Sequence, residues 1–189
     1  IGALWVNPST CKPVGSTIGH EIGHSFQYQV SADKLFTGEV TPIDRADGSQ
    51  LVPAGFRYGF GENGAGGCAY WEQSAQWQSF QDYPNECFDQ DAHYAVWLKN
   101  HHRHFNHEFM RYASYWFQYW FTEKHGIESY ARIWKESKYP EDPLQTYMRI
   151  YCNNSLDALY KDLYEYSAHC ADYDFKAVHQ YKKEAAINY

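Results

Sequence analysis

No stretch of eighteen consecutive apolar residues occurs anywhere in the chain, which rules out a helix that spans a membrane. The opening IGALWVNPST has neither an initiator methionine nor a charged segment followed by an apolar one, so the chain reads as a mature or excised segment that does not include a targeting signal, if there is one. The five cysteines, Cys11, Cys68, Cys87, Cys152 and Cys170, form no CxxC pair. That disfavours a cysteine-based zinc site and a thioredoxin-type redox motif. No GxSxG elbow is present to place a serine nucleophile, and there is no internal repeat. Positive charge is also short: 16 Lys and Arg against 23 Asp and Glu leave a formal charge of −7, and the basic residues are scattered. A binder of nucleic acid needs them clustered, so nucleic acid is not an expected partner.

Aromatic residues, in contrast, make up 19% of the chain, with 18 Tyr, 11 Phe and 7 Trp. This is the profile of a packed domain and not of a disordered segment. Most of these rings are expected in the core and its rim, with some Tyr and Trp lining a groove where their polar ends find partners. A length of 189 residues suits one domain. The odd number of cysteines leaves at least one thiol unpaired, and four paired ones could connect in three ways. Asn153-Asn154-Ser155 is a formal glycosylation sequon, and with the cysteines it points to a secreted, extracellular protein.

Along the chain, residues 3–6 (ALWV) read as a short strand stopped by Asn7-Pro8. Ser16 or Thr17 can cap a helix in which Ile18, Ile22 and Phe26 form an apolar stripe ending near Gln29. The stretch 31–67, rich in Gly, Pro and Asp, reads as a long structured loop or short hairpin. Further helices are expected over 68–80, 92–98, 105–124, 127–137, 143–151 and 156–170, with Gly126 closing one of them.

The first helix carries STIGHEIGHSFQYQV. His20 and His24, four residues apart, stand one turn apart on the same face and can reach one metal ion. Glu21 lies about 100 degrees round the helix, near enough to lean over a water on that metal without ligating it. A chain with 10 histidines among 189 residues contains HExxH by composition alone with a probability of ~3%. The context argues against chance: the motif lies on a periodic helix, the apolar stripe avoids both histidines, and Gly19 and Gly23 flank them. Glycine in a helix costs about 1 kcal/mol against alanine, so two of them imply a close approach to the backbone.

A third ligand must come from elsewhere. Gln27 and Val30 stand where a metzincin needs Gly and His, which excludes that class. In YWEQSAQWQSF, Glu72 shares a helical face with Ala75, Gln76 and Ser79, and the small residues let this helix lie against the HExxH helix. Glu62 and Glu39 compete from the loop. A donor for a developing oxyanion is sought in Arg111 or Tyr112. GFGENG, 59–64, matches GxGxxG but lacks the strand before it and the helix after it, so it reads as a loop. HHRHFNHE, with His101, His102, His104, His107 and Glu108, reads as a solvated histidine cluster, although His104 and Glu108 could pair on a helix.

HEIGH, followed by WEQSA, resembles the gluzincin-type zinc metallopeptidases, in which HExxH on one helix is joined by a glutamate ligand on a following helix. More loosely, HEIGHSFQ with YWEQSAQW and FQYWFTEKHGIESYARIWKES looks like secreted zincin-like domains of bacteria and fungi. The resemblance implies an α+β, mainly α-helical zincin-like domain over residues 1–189, with metal-site residues in 1–90, a helical region in 91–189 and a small or incomplete N-terminal sheet. It implies zinc (Zn2+) on His20, His24 and Glu72, Glu21 as general base, and a peptide or glycoprotein substrate cleaved at a peptide bond. The rival expectation is a non-catalytic module on the same scaffold that binds carbohydrate or protein through an aromatic groove. An intact Glu21 counts against it.

Overall fold

The first helix, α1 (Val14–Phe36), runs a full two turns beyond the end that its apolar pattern predicts. In the computed structural model, which describes residues 5, 7, 9, 14–53, 56, 69–88, 93–104 and 107–181, it leads into a short antiparallel hairpin of β1 (Ile43–Asp44) and β2 (Gln50–Leu51). Ile43 pairs with Leu51 and Asp44 with Gln50. The remaining elements are helical: α2 (Ala69–Asp82), a 3-10 helix (Pro84–Phe88), α3 (His93–Asn100), a second 3-10 helix (Glu108–Met110), α4 (Trp116–His125), α5 (Glu128–Glu136), α6 (Pro143–Tyr151), α7 (Leu156–Asp172) and α8 (Lys176–Tyr181). The fold is therefore mainly α-helical with a small two-stranded sheet. The strand expected at 3–6 and the loop 59–64 lie outside the described residues. No helix among those described is long and apolar enough to cross a membrane.

Several boundaries follow from local chemistry. At α6, Asp142 accepts from the Gln145 backbone N–H at 2.8 Å and the Gln145 side chain accepts from the Asp142 N–H at 2.9 Å. This capping box, with Pro143 in the first turn, starts the helix at the residue the sequence predicts. Ser155 caps α7 by accepting from the Ala158 N–H at 3.3 Å. Gly126, at φ 88°, ends α4 in a conformation that disfavours a side chain.

Two expectations fail for tertiary reasons. Residues 105–124 do not form one helix: 111–115 are turns, in which the Ala113 and Ser114 N–H groups both donate to the Met110 carbonyl, at 2.9 and 2.8 Å. The Tyr115 hydroxyl donates to the Cys87 carbonyl at 2.5 Å, which anchors that turn to the 3-10 helix after α2. Segment 31–36 is helix and not loop, and Lys34 fastens it by donating to the Ser137 carbonyl at 2.8 Å.

The core is built around α4 and α2, each buried on nearly every face. Trp116 of α4 packs on Phe175 with ring centres 4.9 Å apart, and Phe117 meets Tyr166 of α7 edge-on at 5.3 Å. Rings of this size supply most of the apolar area that folding removes from water. On the flank of this core, Asp162 of α7 accepts from Lys124 of α4 and from Tyr147 of α6, each at 2.8 Å. Cys152 and Cys170 carry free thiols that burial pushes up to about 11, which leaves them protonated and unreactive at neutral pH. Cys11 and Cys68 lie outside the described residues.

Against this core α1 packs in reverse of its apolar pattern. Ile18, Ile22 and Phe26 are 36%, 45% and 60% exposed, whereas Ser16, His20, Gly23 and Gln27 are buried. The reason is the close fit to α2. A Cβ on Gly19 would stand 3.2 Å from Ser79 Cβ and 3.3 Å from Ser79 Cα, and one on Gly23 would stand 3.3 Å from Ala75 Cα. Larger side chains on this face would hold the helices apart. The helix N-terminus is served not by Ser16 or Thr17 but by Glu86, whose Oε2 accepts from the Ser16 N–H at 3.2 Å.

This packing distinguishes two neighbouring positions. Gly23→Leu should destabilise the fold by about 1–3 kcal/mol or more, because the Gln78 side chain can step aside but the backbone of Ala75, 3.3 Å away at Cα, cannot. Ile22→Ser should change stability by less than about 0.5 kcal/mol, as an exposed substitution does. Urea unfolding of the two variants measures both, and the reverse order would place the apolar stripe in the core.

Candidate metal centre

Gly19, Gly23, Ala75 and Ser79 bring the backbones of α1 and α2 together, and side chains one helical position away meet in front of the seam. His20 and His24 come from α1, Glu72 from the first turn of α2. His20 Nε2 lies 3.0 Å from Glu72 Oε2, His24 Nε2 lies 3.2 Å from the same oxygen, and the two Nε2 atoms are 3.0 Å apart. Of the described residues, these three form the one group of histidine, cysteine or carboxylate side chains whose donor atoms converge, all within 4.8 Å of one another. His20 and Glu72 are buried, 6% and 8% exposed.

Two imidazole nitrogens aimed at each other and at one carboxylate oxygen repel unless a positive charge sits among them. A proton bound there can supply that charge. Burial works against ionising Glu72, but hydrogen bonds from His20 and His24 outweigh it and hold the carboxyl at about 2. Burial likewise lowers His24, while its bonds to Glu72 and Gln27 and the charges of Glu72 and Glu21 raise it above its ordinary value. A metal ion fits the same place. Donors at about 2.0–2.2 Å from a tetrahedral ion stand roughly 3.3–3.6 Å apart, a few tenths more than observed, and two nitrogens with one oxygen is a set that zinc accepts with a position left open.

The convergence forms the floor of a cleft of about 410 Å³ lined by Thr17, His20, Glu21, His24, Tyr28, Glu72, Gln76, His93 and Tyr112. Glu21 is thus at the cleft beside the three converging groups without being one of them. Tyr112 stands across from His20, ring centres 6.0 Å apart, and His93 stacks on Tyr112 at 5.1 Å. Arg111, the other donor considered, lies over the Tyr112 ring at 5.0 Å and does not line the cleft.

The other candidates fall elsewhere. Glu39 is exposed just beyond the C-terminal end of α1, where it pairs with Lys34 at 3.7 Å. Glu62 lies outside the described residues. His101, His102 and His104 are exposed on the turn after α3, and because 101–104 are not helical the four-residue spacing of His104 and Glu108 does not put them on one helix face. Gln76 lines the cleft on the face of α2 that it shares with Glu72, as its spacing implies, whereas sequence reasoning missed Gln27, Tyr28 and His93. Gln27 had a legible signal, since 16, 20, 23 and 27 repeat at helical spacing on the buried face. His93 had none, because its place at the cleft is set by tertiary packing and not by local spacing.

The pairing has a definite pH signature. Glu72, depressed below 4.5, contributes stability that is present above 4.5 and lost as the pH falls through about 2. His24, raised above 6.5, contributes stability that is present below 6.5 and lost as the pH rises through its elevated value. Without metal, the stability difference between the parent and Glu72→Gln should therefore be larger at about pH 5.5 than at about pH 8. With zinc, which displaces the proton, it should be larger at the higher pH. Urea unfolding in chelator and in zinc compares the two, and the same sign in both conditions would contradict the arrangement.

No curated protein and no solved structure matches this chain. One family does, over residues 1–189: DUF6055, described as a family of unknown function.

Proposed function

The chain belongs to the DUF6055 family, and we propose that it is a zinc-dependent hydrolase, a secreted metallopeptidase of gluzincin type on a zincin-like domain. The observation that carries the reading is the convergence of His20, His24 and Glu72 at the base of a cleft that Glu21 also lines. Two further features support it. The order HExxH and then a glutamate on the next helix is the gluzincin arrangement, and the sequon at Asn153 lies in an exposed turn, where a secreted protein would carry it.

In this reading His20, His24 and Glu72 hold the ion, and a bound zinc supplies a Lewis acid that brings the pKa of water towards neutrality. The chain's own groups do the rest. The Glu21 carboxylate takes a proton from the attacking water and gives it to the departing amine. Tyr112, held by the stacked His93, offers its hydroxyl to the carbonyl oxygen as negative charge develops there. Tyr28, packed on Trp71 at 5.2 Å, walls the cleft and excludes water from one side of the substrate. A peptide or glycoprotein segment is the partner this cleft takes.

The ligand set and the base separate in experiment. His20→Ala, His24→Ala and Glu72→Gln should each weaken zinc binding strongly, since each leaves two protein ligands where a catalytic site uses three, while Glu39→Gln leaves it unchanged. Zinc titration against a chromogenic chelator reads this, and parent-like affinity in both histidine variants would remove the site. Glu21→Gln should keep its zinc and lose about two or more orders of magnitude in peptide hydrolysis. Loss of the metal along with the activity would make Glu21 structural.

A further inference from the structure

Gln27 lies one turn beyond His24 on α1 and is 2% exposed. Both ends of its amide are committed. The nitrogen donates to the Trp71 carbonyl and to Ser74 Oγ, each at 2.9 Å, and the Ser74 hydroxyl gives its own hydrogen to the Tyr70 carbonyl. A backbone carbonyl can only accept, so the amide nitrogen must face Trp71 and the amide oxygen is left to face His24 Nδ1 at 2.8 Å. That oxygen can only accept in turn, so Nδ1 of His24 must carry a hydrogen. In the neutral ring the lone pair is then on Nε2, the atom that meets His20 Nε2 and Glu72 Oε2.

We infer that Gln27 is the positioning residue of this centre: it fixes the tautomer of His24 and ties it to the turn of α2 that presents Glu72. Trp71 and Ser74 flank Glu72, so one amide spans the two helices that supply the ligands. Ser74 is itself secured, because its carbonyl accepts from the Tyr130 hydroxyl of α5 at 3.1 Å. His20 has no counterpart of this kind, since its Nδ1 is buried without a partner among the described residues. Of the two rings, His24 is therefore the one whose Nδ1 the fold holds with a hydrogen-bond partner before any ion arrives. A hydrogen-bonded orienting partner of a metal ligand is worth about 10- to 100-fold in affinity.

The inference rests on the metal reading, and the test separates the two. In Gln27→Met, which keeps the volume and removes all three hydrogen bonds, zinc affinity should fall about 10- to 100-fold. In Gln27→Glu, which still accepts from Nδ1, affinity should exceed that of Gln27→Met. Nitrogen-15 imidazole spectra of the metal-free parent, at a pH where His24 is neutral, should show the hydrogen on Nδ1; in Gln27→Met it should move largely to Nε2, and Gln27→Glu should restore it. Parent-like zinc affinity in Gln27→Met, or an Nε2 hydrogen in the parent, overturns the inference. A parent that binds no zinc through His20 and His24 removes the metal reading instead, and the tautomer in the metal-free protein still decides the role of Gln27. Should Gln27→Met fail to fold, the parent spectrum and Gln27→Glu carry the test.

Discussion

At positions 19 and 23 α1 has no Cβ, and at the facing positions α2 has only alanine and serine. The helix axes can therefore come close enough for side chains on either edge of the seam to touch, and the whole centre depends on that distance. Two imidazoles and a carboxylate on separate helices converge within hydrogen-bonding range only when the helices cannot be wedged apart. The adjoining face of α1 becomes a polar seam, since Gln27 and Ser74 satisfy each other and the Trp71 carbonyl where larger apolar side chains would not fit. Burying such groups costs little only because each has a partner.

The same seam explains why α1 shows its apolar stripe to solvent. A helix normally turns its widest apolar face inward, but here α2 is already buried on nearly all sides by aromatic packing and offers α1 only the small-residue strip. Rigidity comes from behind. Trp71 is wedged against Trp134 with ring centres 4.9 Å apart, and Trp77 stacks on Tyr130 at 4.5 Å, so the turn carrying Glu72 is backed by α5. A carboxylate mounted in this way loses little freedom when it binds an ion, which is the advantage of a preorganised site.

Much of this was legible in the sequence, and the reasons differ by element. Helix α6 was readable to the residue because its start is written in local chemistry, a capping box and a proline in the first turn. The pairing of His20, His24 and Glu72 was readable from helical spacing together with the small residues at 19, 23, 75 and 79. The burial of α1 was not, since apolar periodicity assumes that the partner surface accepts bulk and here it does not. The helix expected over 105–124 breaks because Tyr115 is drawn to a carbonyl 28 residues away, which local propensity cannot anticipate. Gln27 and His93 belong to the same class: their roles arise from tertiary proximity.

The identity of the atoms around a bound ion decides whether His20, His24 and Glu72 are its ligands. X-ray absorption of the zinc-loaded protein at the zinc edge should show a first shell of two imidazole nitrogens and carboxylate or water oxygens at about 2.0–2.2 Å, with no sulfur. A shell containing sulfur at about 2.3 Å, or one of oxygens without imidazole, would contradict it.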